Sequence, residues 1–227
     1  MHISVVIPTL DEADRIGDII AFLLAQGFDE IIVSDGGSTD NTIKIALSAG
    51  ATVIEAPKGR GQQLRWGAAA ATKDHLFFLH ADCRPPTSAF RLIEETLAQT
   101  DALAGCFRLA FDYRHPVLWL YESMSRVNHP LFTYGDQGLF LSRATYDRIG
   151  GYSDAPLFED IEIVKRLRSA GRFTKRREPM ITSARRFLRD GLIKREMISV
   201  VLVLLYYLGV SPDRLARWYR PEKAFRE

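Results

Sequence analysis

The sequence contains little cysteine. Only two of its 227 residues are cysteines, Cys83 and Cys106, and neither belongs to a CxxC or CxxH pair. This excludes a zinc finger and a disulfide-stapled fold, and it favours a reducing, cytoplasmic location. A hydrophobic content of 47% and a charged content of 26% exclude a disordered chain and are typical of a packed globular protein.

The sequence also lacks a long hydrophobic run. The longest one, residues 197–208, includes a single polar residue. A helix of this length reaches only about 18 Å, short of the ~30 Å hydrocarbon core of a bilayer, so we expect no membrane-spanning helix. The first residues lead directly into a β-branched run, without the basic and apolar regions of a signal peptide, and we therefore expect no signal peptide there.

The net charge of the chain is also small, but the charges are distributed unevenly along the sequence. The formal charge of +2 is made of −5 over residues 1–174 and +7 over residues 175–227. This asymmetry predicts that the C-terminal part faces something anionic. Because the sequence has no recognisable nucleic-acid-binding module, we expect no nucleic acid among the partners.

The first hundred residues alternate between strand and helix patterns. Continuous apolar runs predict buried strands at 3–7, 31–33, 52–55 and 76–79. Helical periodicity predicts helices over 11–26, from 38–41 to before residue 50, over 64–72, and from 85 to about 99. This order predicts an α/β fold with a mostly parallel central sheet and helices on both faces.

The regular alternation of strand and helix patterns ends at about residue 100. We predict a strand with one wet face at 103–111, a helix at 116–127, a short strand at 138–141, a helix capped by Ser142, and a helix at 160–169. The expected domain is 1–182, with a nucleotide-binding half (1–100) and an acceptor and catalytic half (101–182). A basic, apolar helical extension is expected over 183–227.

Ligands of open α/β sheets bind beyond the carboxyl ends of the strands, so polar residues at those positions are candidates for a site. The candidates are Pro8, Thr9, Glu12, Asp35, His80 and Asp82, followed by Glu159 and Asp160 at a later helix start. Each group taken alone is equally consistent with ordinary turn and capping chemistry. Asp82 ends a buried apolar run and is a suitable oxygen ligand for Mg²⁺ or Mn²⁺.

A glycine-rich basic segment precedes one of the predicted helices. Residues 58–65 bring Gly61 and Arg65 to a helix start, where exposed N–H groups and the helix dipole favour a diphosphate. A basic surface loop is the alternative interpretation.

The order and spacing of five segments resemble the family 2 glycosyltransferases, which have the GT-A nucleotide-sugar fold. The segments are VVIPTLDEADRI, SDGGSTDNT, GRGQQLRWGAAAATKDHLFFLHADCRPP, GDQGLFLSRATYDRIGGY and FEDIEIVKRLRSAG. The short length and the HAD variant resemble a small bacterial subgroup described as transferase 2, rSAM/selenodomain-associated. The resemblance implies a GT-A type α/β fold, here followed by C-terminal helices.

The resemblance also implies roles for individual residues. Nucleotide-sugar contacts are implied for Pro8, Thr9, Glu12, Asp35, Gly61, Arg65, His80 and Asp82. Asp82 matches the metal-binding acid of the family's DxD motif, whereas His80 stands where Asp is more usual. Contacts with the donor sugar and acceptor are implied for Asp136, Gln137 and Gly138. Asp160 matches the catalytic base, with Glu159 beside it.

The implied activity is the transfer of a sugar from a nucleoside-diphosphate sugar to an acceptor hydroxyl, with inversion and with the help of Mg²⁺ or Mn²⁺. Two alternatives stay open: a nucleotide-sugar-binding or scaffolding protein without turnover, and a sugar-nucleotide nucleotidyltransferase. A dinucleotide-dependent dehydrogenase is disfavoured, since Pro8 and Thr9 stand where a G-x-G-x-x-G motif would follow the first strand.

The apolar segment 197–208 is hydrophobic on all sides of a helix, which predicts that it is buried. It could pack against the domain, against a second copy in a homodimer, or in a membrane surface. Arg214, Arg217 and Trp218 near its end are typical of the third case. The expected location is therefore cytoplasmic, with peripheral contact to the inner membrane face as an option.

Overall fold

The computed structural model describes residues 1–99, 101–185, 188 and 192–218. Its strands are β1 (Ile3–Thr9), β2 (Glu30–Asp35), β3 (Thr52–Glu55), β4 (His75–Phe78), β5 (Cys83–Arg84), β6 (Ala102–Phe111), β7 (Leu139–Ser142) and β8 (Arg172–Thr182). Its helices are α1 (Ala13–Ala25), α2 (Thr42–Ser48), α3 (Arg60–Ala70), α4 (Ala89–Leu97), α5 (Pro116–Ser125), α6 (Arg143–Arg148), α7 (Glu159–Ala170), α8 (Leu192–Tyr207) and α9 (Pro212–Trp218). Short 3₁₀ turns cover Pro130–Phe132 and Gly135–Gln137.

The strands form one sheet in the order β3-β2-β1-β4-β7-β6-β8-β5. The first four strands in this order are mutually parallel. β7 runs antiparallel to both of its neighbours, β8 is parallel to β6, and β5 is antiparallel to β8. The predicted mostly parallel sheet is therefore confirmed, and the carboxyl ends of β1, β2, β4, β6 and β8 share one edge.

The middle of each central strand is mainly apolar because both faces of the sheet are covered. In β1, Ile3, Val5 and Ile7 belong to one core cluster, whereas Val6 belongs to the cluster on the opposite face. Alternate side chains of a strand point to opposite faces, so burial on both sides requires an unbroken apolar run. The same reasoning explains β4, where Phe77 and Phe78 fall in different clusters.

The first helix begins two residues later than its apolar pattern predicts. Asp11 has a φ of 54°, outside the helical region, and its carboxylate accepts a 2.7 Å hydrogen bond from the backbone N–H of Thr39. Asp11 therefore holds the turn between β1 and α1 against the loop after β2. Side-chain hydrogen bonding of this kind competes with helix formation.

Two strands of the second half differ from the sequence-based expectation. β6 has no wet face, since Cys106 and Phe107 are buried in opposite core clusters. β8 was not predicted at all, because its sequence, RFTKRREPMIT, is rich in charge and contains a proline. Its Lys175 ammonium is satisfied within the fold by the carbonyls of Ser125, Val127 and Phe132, at 2.9, 3.1 and 2.7 Å.

The C-terminal extension is helical over α8 and α9, whereas residues 186–187, 189–191 and 219–227 of the predicted extension lie outside the described residues. α8 is buried on one side only: Leu202 is 9% exposed and Leu204 is 56% exposed. Packing against the domain, one of the three predicted options, therefore covers only part of segment 197–208. Among the described helices, none is long and apolar enough to cross a membrane.

Candidate active site

The ends of β1 and β2 are joined by a buried carboxylate. Thr9 and Asp35 are direct partners in the two strands, and the Thr9 hydroxyl donates a 2.9 Å hydrogen bond to Asp35. The other Asp35 oxygen accepts from the backbone N–H groups of Gly37 and Ser38, at 2.9 and 2.7 Å. Asp35, which is fully buried, thereby shapes the loop that lies beyond the sheet edge.

Pro8 and Glu12 lie next to the hydrogen-bonded ends of β1 and β2. Pro8 is half-buried and faces Ser34 across the strand pair. Glu12 precedes α1 and is 7% exposed, and its backbone N–H donates to the Thr42 hydroxyl at 2.8 Å. Its carboxylate lies 3.7 Å from the guanidinium of Arg185, so the basic C-terminal segment reaches the acidic nucleotide-binding half at this point.

Helix α3 is held close over the same edge of the sheet. The amide nitrogen of Gln63 donates to the carbonyls of Thr9 and Ser34, at 2.6 and 3.0 Å. Gly67, one turn further on, permits this approach, since a Cβ there would lie 2.3 Å from a methyl group of Val6. The N-terminus of α3, with Arg60 and Gly61, is consequently fixed beside the carboxyl ends of β1 and β2.

An ion pair joins the starts of α3 and α7. The Nε of Arg60 donates to the Oε1 of Glu159, whose side chain is 3% exposed. Burial raises the pKa of Glu159 and the Arg60 guanidinium opposes that shift. Desolvation alone would lower the pKa of Arg60, but Glu159, Asp160 and Asp136 together hold it above its usual range. Arg60 was not among the predicted site residues, and its signal is a cation at a glycine-flanked helix start.

Asp160 lies in the first turn of α7 and is oriented by two backbone donors. Its Oδ2 accepts a 2.8 Å hydrogen bond from the N–H of Gly135, and its Oδ1 accepts one of 2.8 Å from the N–H of Ile161. Phe158, just before the helix, has a φ of 65°, which non-glycine residues rarely adopt. This turn brings Glu159 and Asp160 to the helix N-terminus, where a negative charge is stabilised.

The loop before β7 brings the DxD-like segment against Asp160. A Cβ at Gly135 would lie 3.1 Å from the Nε2 of His80 and 3.4 Å from the Cβ of Asp160. A side chain at this position would therefore push the two residues apart. Gly135 thus allows His80 and Asp160, which are 80 positions apart in the sequence, to face one site.

Asp136 occupies the centre of this group of acids. Its Oδ1 is buried and meets no hydrogen-bond donor among the residues that the structure describes. Burial, together with the nearby carboxylates of Asp160 and Asp82, raises the pKa of Asp136 to about 7, against the opposing charge of Arg60. An unsatisfied buried carboxylate beside other acids is a good ligand for a hard cation.

The site contains one group of potential metal ligands. The ligand atoms of His80, Asp82 and Cys83 all lie within 4.8 Å of one another. Burial raises the pKa of the Cys83 thiol well above its usual value, and its Sγ lies 2.9 Å from the Thr182 hydroxyl, so this thiol is a poor ligand for Mg²⁺ or Mn²⁺. The carboxylate of Asp82 is the member of this group that suits such a cation, and its charge also acts on Asp136.

Three predicted residues make contacts that do not involve this centre. Arg65 is 54% exposed and forms a 2.6 Å ion pair with Asp154. Gln137 is fully buried, and its amide nitrogen donates to the carbonyl of Phe132 at 2.9 Å. Gly138 has a φ of 67°, and a Cβ there would lie 2.5 Å from the Met180 side chain. The structure gives the last two a role in shaping the loop, and their contacts with sugar or acceptor stay predictions.

The fold and the acids at the sheet edge are typical of a nucleotide-sugar transferase of the GT-A class. Residues 4–153 match the family model Glycosyl transferase family 2, and the chain belongs to this family. It is 37% identical over 127 residues to the glucosyl-3-phosphoglycerate synthase of Mycolicibacterium smegmatis, covering 51% of this chain and 41% of that protein. It is 39% identical over 75 residues to the glycosyltransferase AglJ of Haloferax volcanii, covering 33% of this chain and 23% of that protein. The chain thus spans less than half the length of these relatives.

Solved structures show the same fold. A mannosyltransferase of Pyrobaculum calidifontis, solved with GDP-Man and Mn²⁺, superposes with a TM-score of 0.63 at 19% identity, over 79% of this chain and 56% of that one. The glucosyl-3-phosphoglycerate synthase of Mycobacterium tuberculosis, solved with Mn²⁺, UDP and its product, superposes with a TM-score of 0.59 at 22% identity, over 78% of this chain and 70% of that one. The predicted GT-A fold is confirmed, and membership of the rSAM/selenodomain-associated subgroup stays a prediction.

Proposed function

We propose that this protein transfers a sugar from a nucleoside-diphosphate sugar to an acceptor hydroxyl, with inversion and with the help of Mg²⁺ or Mn²⁺. The observation that carries the proposal is the position of Asp160, held by two backbone N–H groups next to Asp136 and the His80 segment. Family membership supports it, as do the activities named for the relatives.

In this proposal Asp160 is the general base. The hydrogen bonds from Gly135 and Ile161 fix the plane of its carboxylate and leave lone pairs on both oxygens. One of these accepts the proton of the acceptor hydroxyl while the hydroxyl oxygen attacks the anomeric carbon. The glycosidic bond to the diphosphate breaks in the same displacement, which inverts the configuration and needs no enzyme nucleophile.

The donor diphosphate is assigned to the space between Asp82, Asp136 and the N-terminus of α3. Asp82 and Asp136 would hold the divalent cation, which supplies positive charge opposite the leaving diphosphate. Gly61 allows the start of α3 to pack closely on the segment that leads into α7, since a Cβ there would lie 3.0 Å from the carbonyl of Ser153 and 3.3 Å from the Cβ of Glu159. Its contact with the diphosphate is part of this proposal. The base and ribose are assigned to the residues at the ends of β1 and β2, Pro8, Thr9, Glu12 and Asp35, with the exposed Arg65 of α3 nearby as a further contact.

Glu159 is assigned a positioning role beside the base. Its buried carboxylate is engaged by Arg60, so the ion pair ties the start of α7 to the start of α3. This tie keeps the helix that carries Asp160 next to the helix that faces the diphosphate. A proton-accepting role belongs in this proposal to Asp160, because Glu159 already has a guanidinium partner.

We infer a cytoplasmic location from the two thiols. Cys83 and Cys106 are both buried and unpaired, and burial raises the pKa of Cys106 to about 12. Neither thiol contributes to a disulfide in the fold, which is typical of a protein kept in a reducing compartment.

The proposal is tested by incubating the purified protein with Mn²⁺ and a panel of UDP-, GDP- and dTDP-sugars, and measuring release of the nucleoside diphosphate. We expect one donor to be consumed, and Asp160→Asn to abolish consumption while nucleotide binding measured by calorimetry is kept. Binding without consumption of any donor in the presence of candidate acceptors favours a binding protein. Release of pyrophosphate from a nucleoside triphosphate and a sugar phosphate favours a nucleotidyltransferase.

The metal assignment has a separate test. Asp82→Ala should weaken the affinity for the nucleoside diphosphate in Mn²⁺ and leave it unchanged in EDTA, because the lost carboxylate acts only through the cation. A variant that weakens binding equally in both media would show that Asp82 contacts the nucleotide without a metal.

A further inference from the structure

Helix α8 presents an apolar stripe to solvent. Its members are spaced three, four and seven positions apart, which places them on one helical face. They are Met197, Val200, Val201 and Leu204 of α8 and Leu208 directly after its end, with exposed fractions of 63, 53, 51, 56 and 81%. Isolated exposed apolar residues are ordinary, but a continuous stripe along a helix marks an interaction surface.

The opposite face of α8 packs against α7 and against Phe158, the residue before it. The ring of Tyr206 packs on that of Phe158, with 4.9 Å between ring centres, and Leu202 is buried. The ammonium of Lys165, on α7, lies 4.4 Å and 4.0 Å from the ring centres of Tyr206 and Tyr207. These contacts determine which face of α8 is turned away from the domain, and the stripe lies on that outer face.

Exposed charged and aromatic side chains follow the stripe in the next helix, α9. In α9, Arg214 and Arg217 are exposed, and Trp218 is 66% exposed. Within α9 the two arginines outnumber the single acid, Asp213, whereas Lys175, Arg176 and Arg185 of the basic segment are held by contacts within the domain. Apolar side chains flanked by arginines and an exposed tryptophan are the composition of helices that lie in the interface of an anionic membrane.

A second copy of the chain fits this surface less well. The stripe consists of five side chains, whereas a stable complex that buries ~800 Å² per partner involves about 20–30 residues on each side.

We propose that the outer face of α8, together with the exposed arginines and tryptophan of α9, docks on an anionic lipid surface with the helix axis along the membrane plane. The apolar stripe enters the headgroup region and the arginines contact lipid phosphates. Because α8 rests on Phe158, two residues before Asp160, docking brings the start of α7 close to the membrane surface. This surface exists whether or not the protein transfers sugar.

The test is flotation of the full chain with vesicles of phosphatidylcholine, alone or mixed with phosphatidylglycerol. We expect binding to the anionic vesicles that weakens at high salt. The double variant Val201→Glu and Leu204→Glu should lower the bound fraction about tenfold or more, because each carboxylate opposes insertion and meets anionic lipid. Both positions are exposed, so the fold should be kept, as checked by circular dichroism.

A matched control is Leu47→Glu on α2, an equally exposed leucine outside the stripe, at 56%. It should leave flotation unchanged, whereas Arg214→Gln with Arg217→Gln should reduce it mainly on the anionic vesicles. The proposal is overturned if the wild-type protein floats with neither type of vesicle. It is also overturned if L47E lowers the floated fraction as much as the stripe variant does. It is equally overturned if light scattering shows a dimer that the stripe variant converts to a monomer while vesicles bind neither.

Discussion

Asp136 shows how a single residue can be unfavourable for the fold and useful for the site. Its buried Oδ1 has no donor among the described residues, and burial together with the charges of Asp160 and Asp82 raises its pKa to about 7. Folding therefore favours the protonated acid over the carboxylate. A cation bound at this position would reverse that preference, which links the stability of the protein to the occupancy of the site.

The raised pKa predicts a pH-dependent stability difference between the wild type and Asp136→Asn. In the unfolded chain the pKa is about 4, so between pH 4 and pH 7 unfolding releases the Asp136 proton, and wild-type stability falls as pH rises. The asparagine variant lacks this loss. Without metal, it should become more stable than wild type by about 1–2 kcal/mol above pH 7, with no advantage below pH 4.

Urea denaturation of both proteins in EDTA across this pH range measures the difference, and Asp18→Asn, which changes an exposed carboxylate on α1, is the control. An advantage of D136N that is the same at every pH would contradict the assigned titration. Added Mn²⁺ should remove the advantage at high pH, since the cation stabilises only the carboxylate.

The ion pair between Arg60 and Glu159 predicts an unequal response of the two arginines on α3. Arg60→Ala leaves a carboxylate that is 3% exposed without its guanidinium, and should lower the free energy of unfolding by about 2 kcal/mol. Arg65→Ala removes a pair in which both side chains are more than half exposed, and should change stability by less than about 0.5 kcal/mol.

Thermal unfolding of the two variants provides the comparison. If Glu159→Gln combined with Arg60→Ala recovers most of the loss, the cost lies in the unpaired charge, as expected. Equal losses of unfolding free energy in R60A and R65A would show that the buried ion pair contributes no more to stability than the exposed one.

At the scale of elements, the position of α3 depends on one close approach to the sheet. Because a Cβ at Gly67 would lie 2.3 Å from a Val6 methyl group, Gly67→Ala should push α3 outward and cost about 1–3 kcal/mol. The displacement should also weaken nucleotide binding, since Gln63 and Arg60 move with the helix. Ala70→Ser, on the exposed side of the same helix, is the control, and calorimetric titration with nucleoside diphosphates is the measurement.

The long elements of the first half were predictable, whereas the two-residue strand β5 and the long strand β8 were not. β1, β2 and β4 each contain a largely apolar run because both of their faces are buried. β8 contains RFTKRREP, and its charges are accommodated by partners from other segments: Lys175 by carbonyls of the 125–132 region, and Arg176 by Glu95 and Glu178. Those partners are assembled only by the tertiary fold, so local sequence carries no signal for them.

At the scale of the whole molecule, the two parts of opposite charge meet at a defined place. The guanidinium of Arg185 lies 3.7 Å from the carboxylate of Glu12 and 3.9 Å from that of Asp14. The start of the basic C-terminal extension is therefore paired with the acidic N-terminal half. Arg214 and Arg217, further along in α9, are exposed and belong to the surface proposed for lipid contact. The positive charge of the C-terminal segment thus serves both a contact within the molecule and an outer surface.

Burial of both cysteines predicts how the intact molecule reacts with a thiol reagent. Cys83 and Cys106 are each 2% exposed, and burial raises both thiol pKa values, to about 12 for Cys106. At pH 8 the folded protein should react at least about a hundredfold more slowly than the protein in urea, where two thiols are titrated. Rapid labelling of one thiol in the folded state would show that its surroundings open without global unfolding.

The sequence by itself determined the alternating order of strands and helices, the two-sided burial of the central strands, and the identity of the acids that follow them. These features depend on local pattern, because the spacing of apolar residues and the turn-forming residues can both be recognised within a short stretch of sequence. Only the tertiary structure decided that Arg60 pairs with Glu159, that Asp136 lacks a donor, and that one face of α8 is uncovered. Each of these depends on distances between segments far apart in the chain, which packing establishes and local pattern does not contain.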